Sequence, residues 1–256
     1  MGISRPVRKA PGTVLYSLKA SGTLQDGNVA EGDEIPLSQF TVEPVAYETI
    51  SIEKWRKATS IEAIKDHGYD VAVQMTDEEL KVMLQDDVMG RFYDYIKTGT
   101  LTSTETTFQM GVSMAIGQVK NKFKAMHKNS TGVAVFVNTL DLYRYLGAAQ
   151  ITIQSAFGLD YVENFLGADV VFISSEIDEG QVIATPLNNL VMYYVDPSDS
   201  EFSRAGLSYT TDSETGLIGF HTEGNYVRAQ SEAFAIMGLT LFAEYLDGIA
   251  IVTVSP

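Results

Sequence analysis

Two stretches near the N-terminus decide the fold: Thr13-Val-Leu-Tyr-Ser-Leu-Lys-Ala-Ser21 and Phe40-Thr-Val-Glu-Pro-Val-Ala-Tyr-Glu-Thr-Ile-Ser-Ile52. Both have strand composition, and the polar segment between them carries the turn residues Asp26-Gly27-Asn28 and Glu31-Gly32-Asp33, which together predict a long two-stranded hairpin. A lone hairpin is only marginally stable in water. An ordered one must therefore be covered, and we expect another copy of the chain to cover it.

A long amphipathic helix is predicted next, between Thr76 and Lys97. Its apolar residues recur at three- and four-residue spacing, namely Leu80, Met83, Leu84, Val88, Phe92, Tyr95 and Ile96. Thr76 fits an N-cap with Glu79 in capping-box register, and Gly99 marks the stop. At ~1.5 Å per residue the helix would be roughly 33 Å long, which suits a spine across a flat subunit.

The following lobe alternates helices and strands. The predicted segments are a helix at about Thr104–His127, a strand at Gly132–Val137, a short helix capped by Thr139, a strand at Val170–Ile173, and a strand pair formed by Gln181–Thr185 and Leu190–Val195. This alternation predicts a mixed α/β lobe with a sheet at its centre.

The C-terminal part begins with a polar segment, Asp196–Gly216, which predicts a surface loop. Strand periodicity then predicts one long strand from Asn225 to Tyr245, although Phe234–Tyr245 also fits a helix. Asp247-Gly248 predicts a turn into a last strand at Ile249–Val254.

Charge limits the classes of function. The 256 residues carry a net charge of −15, which argues against a protein that grips nucleic acid over a broad surface, because such proteins neutralise phosphates with Lys and Arg. Residues 1–25 are basic, with Arg5, Arg8, Lys9 and Lys19, whereas residues 159–203 hold nine acidic residues and no basic one. The two segments either meet between neighbouring copies or form separate solvated surfaces.

The chain has no cysteine, which excludes disulfides, thiolate metal sites and a cysteine nucleophile. There is no signal-peptide core and no apolar run near the ~18 residues that a membrane helix needs. We therefore expect a protein made in a cytoplasm, with no membrane partner.

A catalytic constellation is missing from the sequence. His67, His127 and His221 are far apart, and no nucleophile-elbow, phosphate-loop, dinucleotide or zinc-protease motif occurs. Gly111 and Gly117 lie within a helical stripe, where close packing explains them. We predict that the protein is not an enzyme and has no catalytic, cofactor or metal site.

The hairpin tip offers one alternative for a metal. Its oxygen-bearing residues suit calcium, although their spacing does not match an EF-hand; they are Asp26, Asn28, Glu31, Asp33 and Glu34. The single tryptophan, Trp55, either anchors an interface or fills the junction between arm and lobe. The candidate contacts to other subunits are Arg5, Arg8, Lys9, Asp26, Asn28, Glu31, Asp33 and Trp55.

The order of these elements, with Val227-Arg-Ala-Gln-Ser-Glu232 and Asp247-Gly-Ile-Ala-Ile-Val252 as the best local matches, resembles the HK97-type major capsid proteins of tailed bacteriophages. The resemblance covers nearly the whole chain. It implies an α+β fold with an N-arm, an extended β-hairpin E-loop, a P-domain built on the long spine helix, and a mixed α/β A-domain.

The resemblance also implies domain boundaries. The N-arm and first strand would be residues 1–21 and the E-loop residues 22–46. The P-domain would combine 47–103 with 217–246, and the A-domain 104–216 with 247–256.

The implied function is that of a structural subunit that assembles into the icosahedral phage head, by way of a procapsid, in the host bacterial cytoplasm. The implied partners are other copies in hexamers and pentamers, a separate scaffolding protein, a portal protein, and double-stranded DNA that is enclosed without sequence-specific binding. Some family members crosslink through an E-loop lysine, but residues 20–53 contain no lysine, so such crosslinks are not expected.

Two other functions stay open. An encapsulin-like nanocompartment shell shares the fold but encloses cargo enzymes. A soluble oligomeric α/β enzyme would instead show a ligand-sized pocket lined by convergent polar groups.

Overall fold

The computed structural model describes residues 4–31, 34–130, 132–147, 154–156, 159–163, 165–187 and 189–255. The strands are β1 (Ser4–Arg8), β2 (Val14–Thr23), β3 (Gln39–Thr49), β4 (Glu53–Ser60), β5 (Leu101–Glu105), β6 (Val133–Asn138), β7 (Gln154–Ala156), β8 (Leu159–Glu163), β9 (Val170–Ser174), β10 (Gln181–Pro186), β11 (Leu190–Tyr194), β12 (Thr210–Thr211), β13 (Ile218–Asn225), β14 (Gln230–Met237), β15 (Leu239–Ala243) and β16 (Ala250–Val254). The helices are α1 (Ile61–His67), α2 (Met75–Ile96), α3 (Phe108–Ala125), α4 (Thr139–Leu146) and α5 (Ser200–Arg204), with a π-helical turn at Asp70–Gln74 and a 3₁₀ turn at Leu246–Gly248.

The central sheet has the strand order β5-β16-β10-β6-β9-β8-β7. Alternate residues of β6 point to opposite faces. Val133, Val135 and Val137 pack with α3 in one cluster, while Ala134 and Phe136 pack with the C-terminal end of α2 in another. Because both faces are covered, β6 is apolar from Val133 to Val137, and the predicted sheet at the centre of the lobe is confirmed.

The spine helix is confirmed at 22 residues, but its predicted start is wrong. The π-helical turn runs directly into α2, so Thr76 lies inside continuous helical backbone instead of capping it. Its hydroxyl donates to the carbonyl oxygens of Ala72 (2.8 Å) and Val73 (3.1 Å). A capping box needs unbonded backbone N–H groups, which the preceding helical turn removes here.

The predicted boundaries of two other helices need correction. Helix α3 begins at Phe108, with Thr107 as its N-cap, because the residues from Leu101 to Glu105 form β5 beside β16. Helix α4 is capped by Asn138 instead of Thr139: its Oδ1 accepts from the Leu140 N–H at 2.7 Å, and its amide donates to the Ile177 carbonyl.

The predicted pairing of the strands that became β10 and β11 is also wrong. Strand β10 lies in the central sheet between β6 and β16, whereas β11 lies between β1 and β15 in a separate three-stranded sheet. The amide of Asn189 redirects the chain between them, since its Nδ2 donates to Thr185 Oγ1 and to the Tyr245 carbonyl.

The long strand predicted from Asn225 to Tyr245 is divided in the structure. Strands β13 and β14 form a hairpin in the four-stranded sheet β12-β13-β14-β4, and β15 belongs to the three-stranded sheet. The hairpin turns because Asn225 Oδ1 accepts from the backbone N–H groups of Val227 and Arg228. The polar segment before it contains α5 and β12, and the last strand is confirmed as β16.

Helix α2 packs against this four-stranded sheet. Leu84 and Val88 of the helix share a buried cluster with Ile218, Ala235 and Met237 of the sheet. Within the described residues, no helix is both long and apolar enough to cross a membrane.

Candidate functional site

The predicted hairpin is confirmed as a two-stranded ribbon of β2 and β3, which among the described strands pair only with each other. Directly opposed residues share a face, and the pairs Ala20–Val42 and Gly22–Phe40 define one of them. Val14 and Tyr16 alternate onto that same face. Val14, Tyr16, Phe40 and Val42 are 55–65% exposed, so the ribbon presents an apolar face that the described part of the chain leaves uncovered.

The distal end of this ribbon face is built around Gly22. A Cβ there would lie 2.3 Å from Phe40 Cδ1 and 2.5 Å from the Gln39 carbonyl oxygen. The Phe40 ring therefore lies across the glycine. At the other end of the ribbon, Leu15 and Ile50 are buried against Val195, which directly follows β11. This contact attaches the ribbon to the rest of the subunit.

The loop that closes the ribbon adds more exposed apolar side chains. Leu24, Ile35 and Leu37 are 72–79% exposed. Asp26 Oδ1 accepts from the Asn28 N–H at 2.9 Å, so this carboxylate is engaged in a local turn. Glu31 is exposed.

The structure does not bring the candidate calcium ligands into a described site. In the described part of the chain, no group of three or more His, Asp or Glu side chains is placed to hold a metal ion. Asp33 lies outside the described residues. Contacts from this tip to another subunit stay a prediction.

The basic arm and the acidic segment meet within one chain. Strand β1 pairs in parallel with β11, and Arg8 forms ion pairs with Asp196 (3.0 Å) and Asp199 (2.8 Å). These contacts raise the pKa of Arg8, and the Glu201 N–H together with Arg8 lowers the pKa of Asp199.

Arg5 and Lys9, which flank Arg8 in the arm, also have partners in the same chain. Arg5 pairs with Glu244 at 3.3 Å. Lys9 Nζ lies 5.9 Å from the centroid of the Tyr193 ring, within the range of a cation–π interaction. Whether Arg5, Arg8 and Lys9 also contact a second subunit stays a prediction.

Trp55 lies on β4 and packs, partly buried, on the cluster that joins α2 to the four-stranded sheet. It is paired in register with Ala235 of β14. This placement fits the alternative in which Trp55 fills the junction between arm and lobe. A role for Trp55 at an interface between subunits stays a prediction.

The histidines lie on three different elements. His67 ends α1, His127 follows α3 with a φ of 55°, and His221 lies on β13, where its Nε2 is 3.7 Å from Glu223 Oε2. The structure does not join them into one site.

Sequence reasoning missed a second exposed feature, the tip of the β13–β14 hairpin. Tyr226 and Val227 are 99% and 97% exposed. The signal was Asn225, whose side chain favours turns, but strand periodicity on both sides concealed it.

An open groove of about 700 Å³ lies beside the first turn of α2. Its apolar lining comes from Met75 and Val82, and carboxylates come from Asp70, Asp77, Glu78 and Glu79. Asp77 pairs with Lys57, whereas the other three carboxylates make no ion pair with the described residues.

Solved structures with the same fold cover nearly the whole chain. A structure from Gordonia phage Cozz has a TM-score of 0.63 at 12% identity and covers 99% of this chain and 85% of its own. The mature capsid of bacteriophage PhiM1 has a TM-score of 0.59 at 9% identity, covering 99% and 86%. The holo-SrpI encapsulin complex from Synechococcus elongatus has a TM-score of 0.57 at 10% identity, covering 98% and 85%.

No protein-family model and no curated protein sequence matches this chain. At such low identity the structural likeness establishes the fold alone. The chain has the α+β HK97-type fold, as its order of elements predicts.

Proposed function

We propose that this protein is the structural subunit of a tailed-phage head, and that its copies assemble into an icosahedral shell around double-stranded DNA. The observation that carries the proposal is the uncovered apolar face of the ribbon on an HK97-type fold. A solvent-exposed apolar patch of this kind marks an interaction surface. In a closed shell of many identical copies, each copy would cover the apolar ribbon face of its neighbour. No ribbon face would then stay exposed to water.

The energetics suit assembly from many weak contacts. Fully burying one large apolar side chain stabilises by ~1.5–3 kcal/mol. Val14, Tyr16, Phe40 and Val42 are already partly covered, so each offers only a part of that gain. Association also costs translational and rotational freedom. A single ribbon contact is therefore weak, and the closed shell gains stability from repetition.

The domain assignment is part of the proposal. Residues 1–21 form the N-arm and first strand, 22–46 the E-loop, 47–103 with 217–246 the P-domain, and 104–216 with 247–256 the A-domain. Two observations support it: α2 packs on the sheet that contains β13 and β14, and β6, β10 and β16 lie together in the central sheet.

The proposed partners are other copies in hexamers and pentamers, a scaffolding protein, a portal protein and enclosed DNA. The net charge of −15 supports enclosure without tight binding, because an acidic surface repels phosphate. We propose that the subunit resides in the virion after assembly in the bacterial cytoplasm. Its role is structural, without catalysis.

A nanocompartment shell is the second candidate, favoured by the likeness to the encapsulin complex. The two candidates differ in their contents. A phage shell produced with its packaging partners contains DNA, whereas a nanocompartment contains a cargo protein.

The experiment is to express the chain alone and with candidate scaffolding proteins, and to image the products by negative-stain electron microscopy. Closed shells or tubes support the proposal. A uniform small oligomer under every condition overturns it. Nuclease-protected DNA in shells formed in infected cells separates a phage head from a nanocompartment.

A further inference from the structure

We propose that the tip of the β13–β14 hairpin, Tyr226–Arg228, docks into the groove beside the first turn of α2 on a second copy of this chain. The inference rests on the proposed function, since it names one contact by which copies associate. It concerns surfaces separate from the ribbon.

The tip is preorganised for binding. Asn225 Oδ1 accepts from the Val227 N–H (3.0 Å) and the Arg228 N–H (3.2 Å). Ala229 then turns the chain with a φ of 49°, and its carbonyl accepts from the Ile61 N–H at 3.0 Å. A turn fixed in this way loses little conformational entropy on binding.

The base of the hairpin is held as well. Glu232 Oε1 accepts from Asn225 Nδ2 at 2.7 Å and from Gln230 Nε2 at 2.5 Å. Arg56 of β4 donates to the same carboxylate. The tip is therefore attached to the four-stranded sheet by side chains at both of its ends.

The tip exposes the side chains that dominate protein interfaces. Tyr226 and Val227 are almost fully exposed and adjacent in the chain. Arg228 is exposed and forms no ion pair with the described residues. Tyr and Arg are enriched among residues that carry binding energy.

The groove has the complementary chemistry. Met75 and Val82 give it an apolar lining and are 63% and 47% exposed. The carboxylates of Asp70, Glu78 and Glu79 lie around them. A methionine side chain adapts to an aromatic ring, and the unpaired carboxylates complement Arg228.

The near-complete exposure of Tyr226 shows that the tip does not occupy the groove of its own chain. Tip and groove are different surfaces, so a contact between copies is head-to-tail. Head-to-tail contacts close into rings when the rotation allows it. Each copy then donates one tip and receives another.

The chain contains no cysteine, which permits a clean crosslinking test. The double variant V227C/M75C places one thiol at the tip and one in the groove. The control is V227C/M83C, because Met75 and Met83 are both 63% exposed on α2 and lie ~12 Å apart along the helix. Disulfides form only at short range between the two Cβ atoms.

Assembled V227C/M75C should give a covalent ladder under mild oxidation, from dimers up to the number of copies in the ring. Head-to-tail linkage joins each chain to two neighbours, whereas either single-cysteine variant can reach only a dimer. We expect the control to yield about tenfold less ladder. Shells without a ladder, or an equal ladder from the control, overturn the inference and leave the proposed function intact.

A charge exchange provides an independent measurement. Arg228→Glu should lower the yield of assembled particles about tenfold, because like charges then oppose each other in the contact. Adding Glu79→Arg in the same chain should restore most of the yield. Normal assembly of R228E, or no recovery in R228E/E79R, overturns the inference. If the unsubstituted chain never assembles, the proposed function itself fails and the inference fails with it.

Discussion

The guanidinium of Arg56 on β4 donates to the buried carboxylate of Glu232 on β14, with Nε and Oε2 3.0 Å apart. The two strands are neighbours in the four-stranded sheet. Arg56 also lies 5.9 Å from the centroid of the Phe234 ring. This ion pair connects the strand that follows the ribbon to the hairpin that carries the exposed tip.

The pairing makes stability depend on pH. The hydrogen bond from Arg56, followed by that from Gln230, lowers the pKa of Glu232 from 4.5 to about 2. Because the pKa is lower in the folded state, the stabilisation is complete above about pH 4.5 and is lost as the pH falls towards 2. We expect Glu232→Gln to lower the thermal midpoint at pH 7, with a smaller difference from the unsubstituted chain at pH 3.

The matched control for this pH dependence is Glu62→Gln, an exposed carboxylate on α1. This substitution should leave the thermal midpoint unchanged at pH 7 and at pH 3. A difference between Glu232→Gln and the unsubstituted chain that is constant from pH 7 to pH 3 would contradict the assignment.

Substitution of alanine for two glycines should change the free energy of unfolding in opposite directions. Gly180 has a φ of 74°, and a Cβ there would lie 2.9 Å from the backbone oxygen of Val254. Gly180→Ala should therefore cost about 2 kcal/mol of unfolding free energy. Gly117 lies in the middle of α3 with nothing within 4 Å of an added Cβ, so Gly117→Ala should stabilise by ~0.5–1 kcal/mol. Chemical denaturation measures the unfolding free energy of both variants. If the two substitutions change it in the same direction, the interpretation is wrong.

A polar substitution on the apolar face of the ribbon should prevent assembly while the subunit still folds. Val42 is on the apolar face and 60% exposed, while Glu43 is on the opposite face. Val42→Ser should change the unfolding free energy of the subunit by less than about 0.5 kcal/mol and should strongly reduce shell formation. Glu43→Ser is the control and should assemble normally. Light scattering and electron microscopy measure shell formation by both variants. Equal shell formation by the two would show that the apolar ribbon face is not part of the contact between subunits.

Local patterns predicted the elements whose signal lies in their own residues. The hairpin of β2 and β3, helix α2 and the last strand all follow from composition and periodicity. Gly111 was also interpreted correctly, since a Cβ there would lie 2.7 Å from Val254 Cγ2. Gly117 was not, because its open surroundings do not show in the sequence.

The failures share one physical cause, which is that tertiary partners decide them. Thr76 has the composition of a cap but lies after a turn that is already helical. Strands β10 and β11 are adjacent in sequence yet pair with different distant strands. The exposed tip at Tyr226 interrupts a regular strand pattern because one side chain, Asn225, binds the turn. None of these outcomes can be read from hydrophobic periodicity alone.

The contact of the N-terminal arm with the body should depend on Arg8. Its guanidinium bonds to Asp196 and Asp199, and Asp199 also caps α5 by accepting from the Glu201 N–H at 3.0 Å. Arg8→Ala removes both ion pairs, while the backbone pairing of β1 with β11 remains. We expect faster amide hydrogen exchange in β1 and at the Lys9 N–H that follows it, which bonds to the Tyr194 carbonyl at 2.8 Å, because edge strands open locally at low cost.

The control for the arm is Arg204→Ala, which removes a local pair with Glu201 within α5 and should leave exchange in β1 unchanged. The thermal midpoint should stay the same in both variants, since exposed ion pairs contribute little to global stability. High salt should raise exchange in β1 of the unsubstituted chain towards that of Arg8→Ala, because screening weakens the same contacts. If exchange in β1 is equal in Arg8→Ala and the unsubstituted chain, the strand pairing alone holds the arm, and the ion pairs have no part in it.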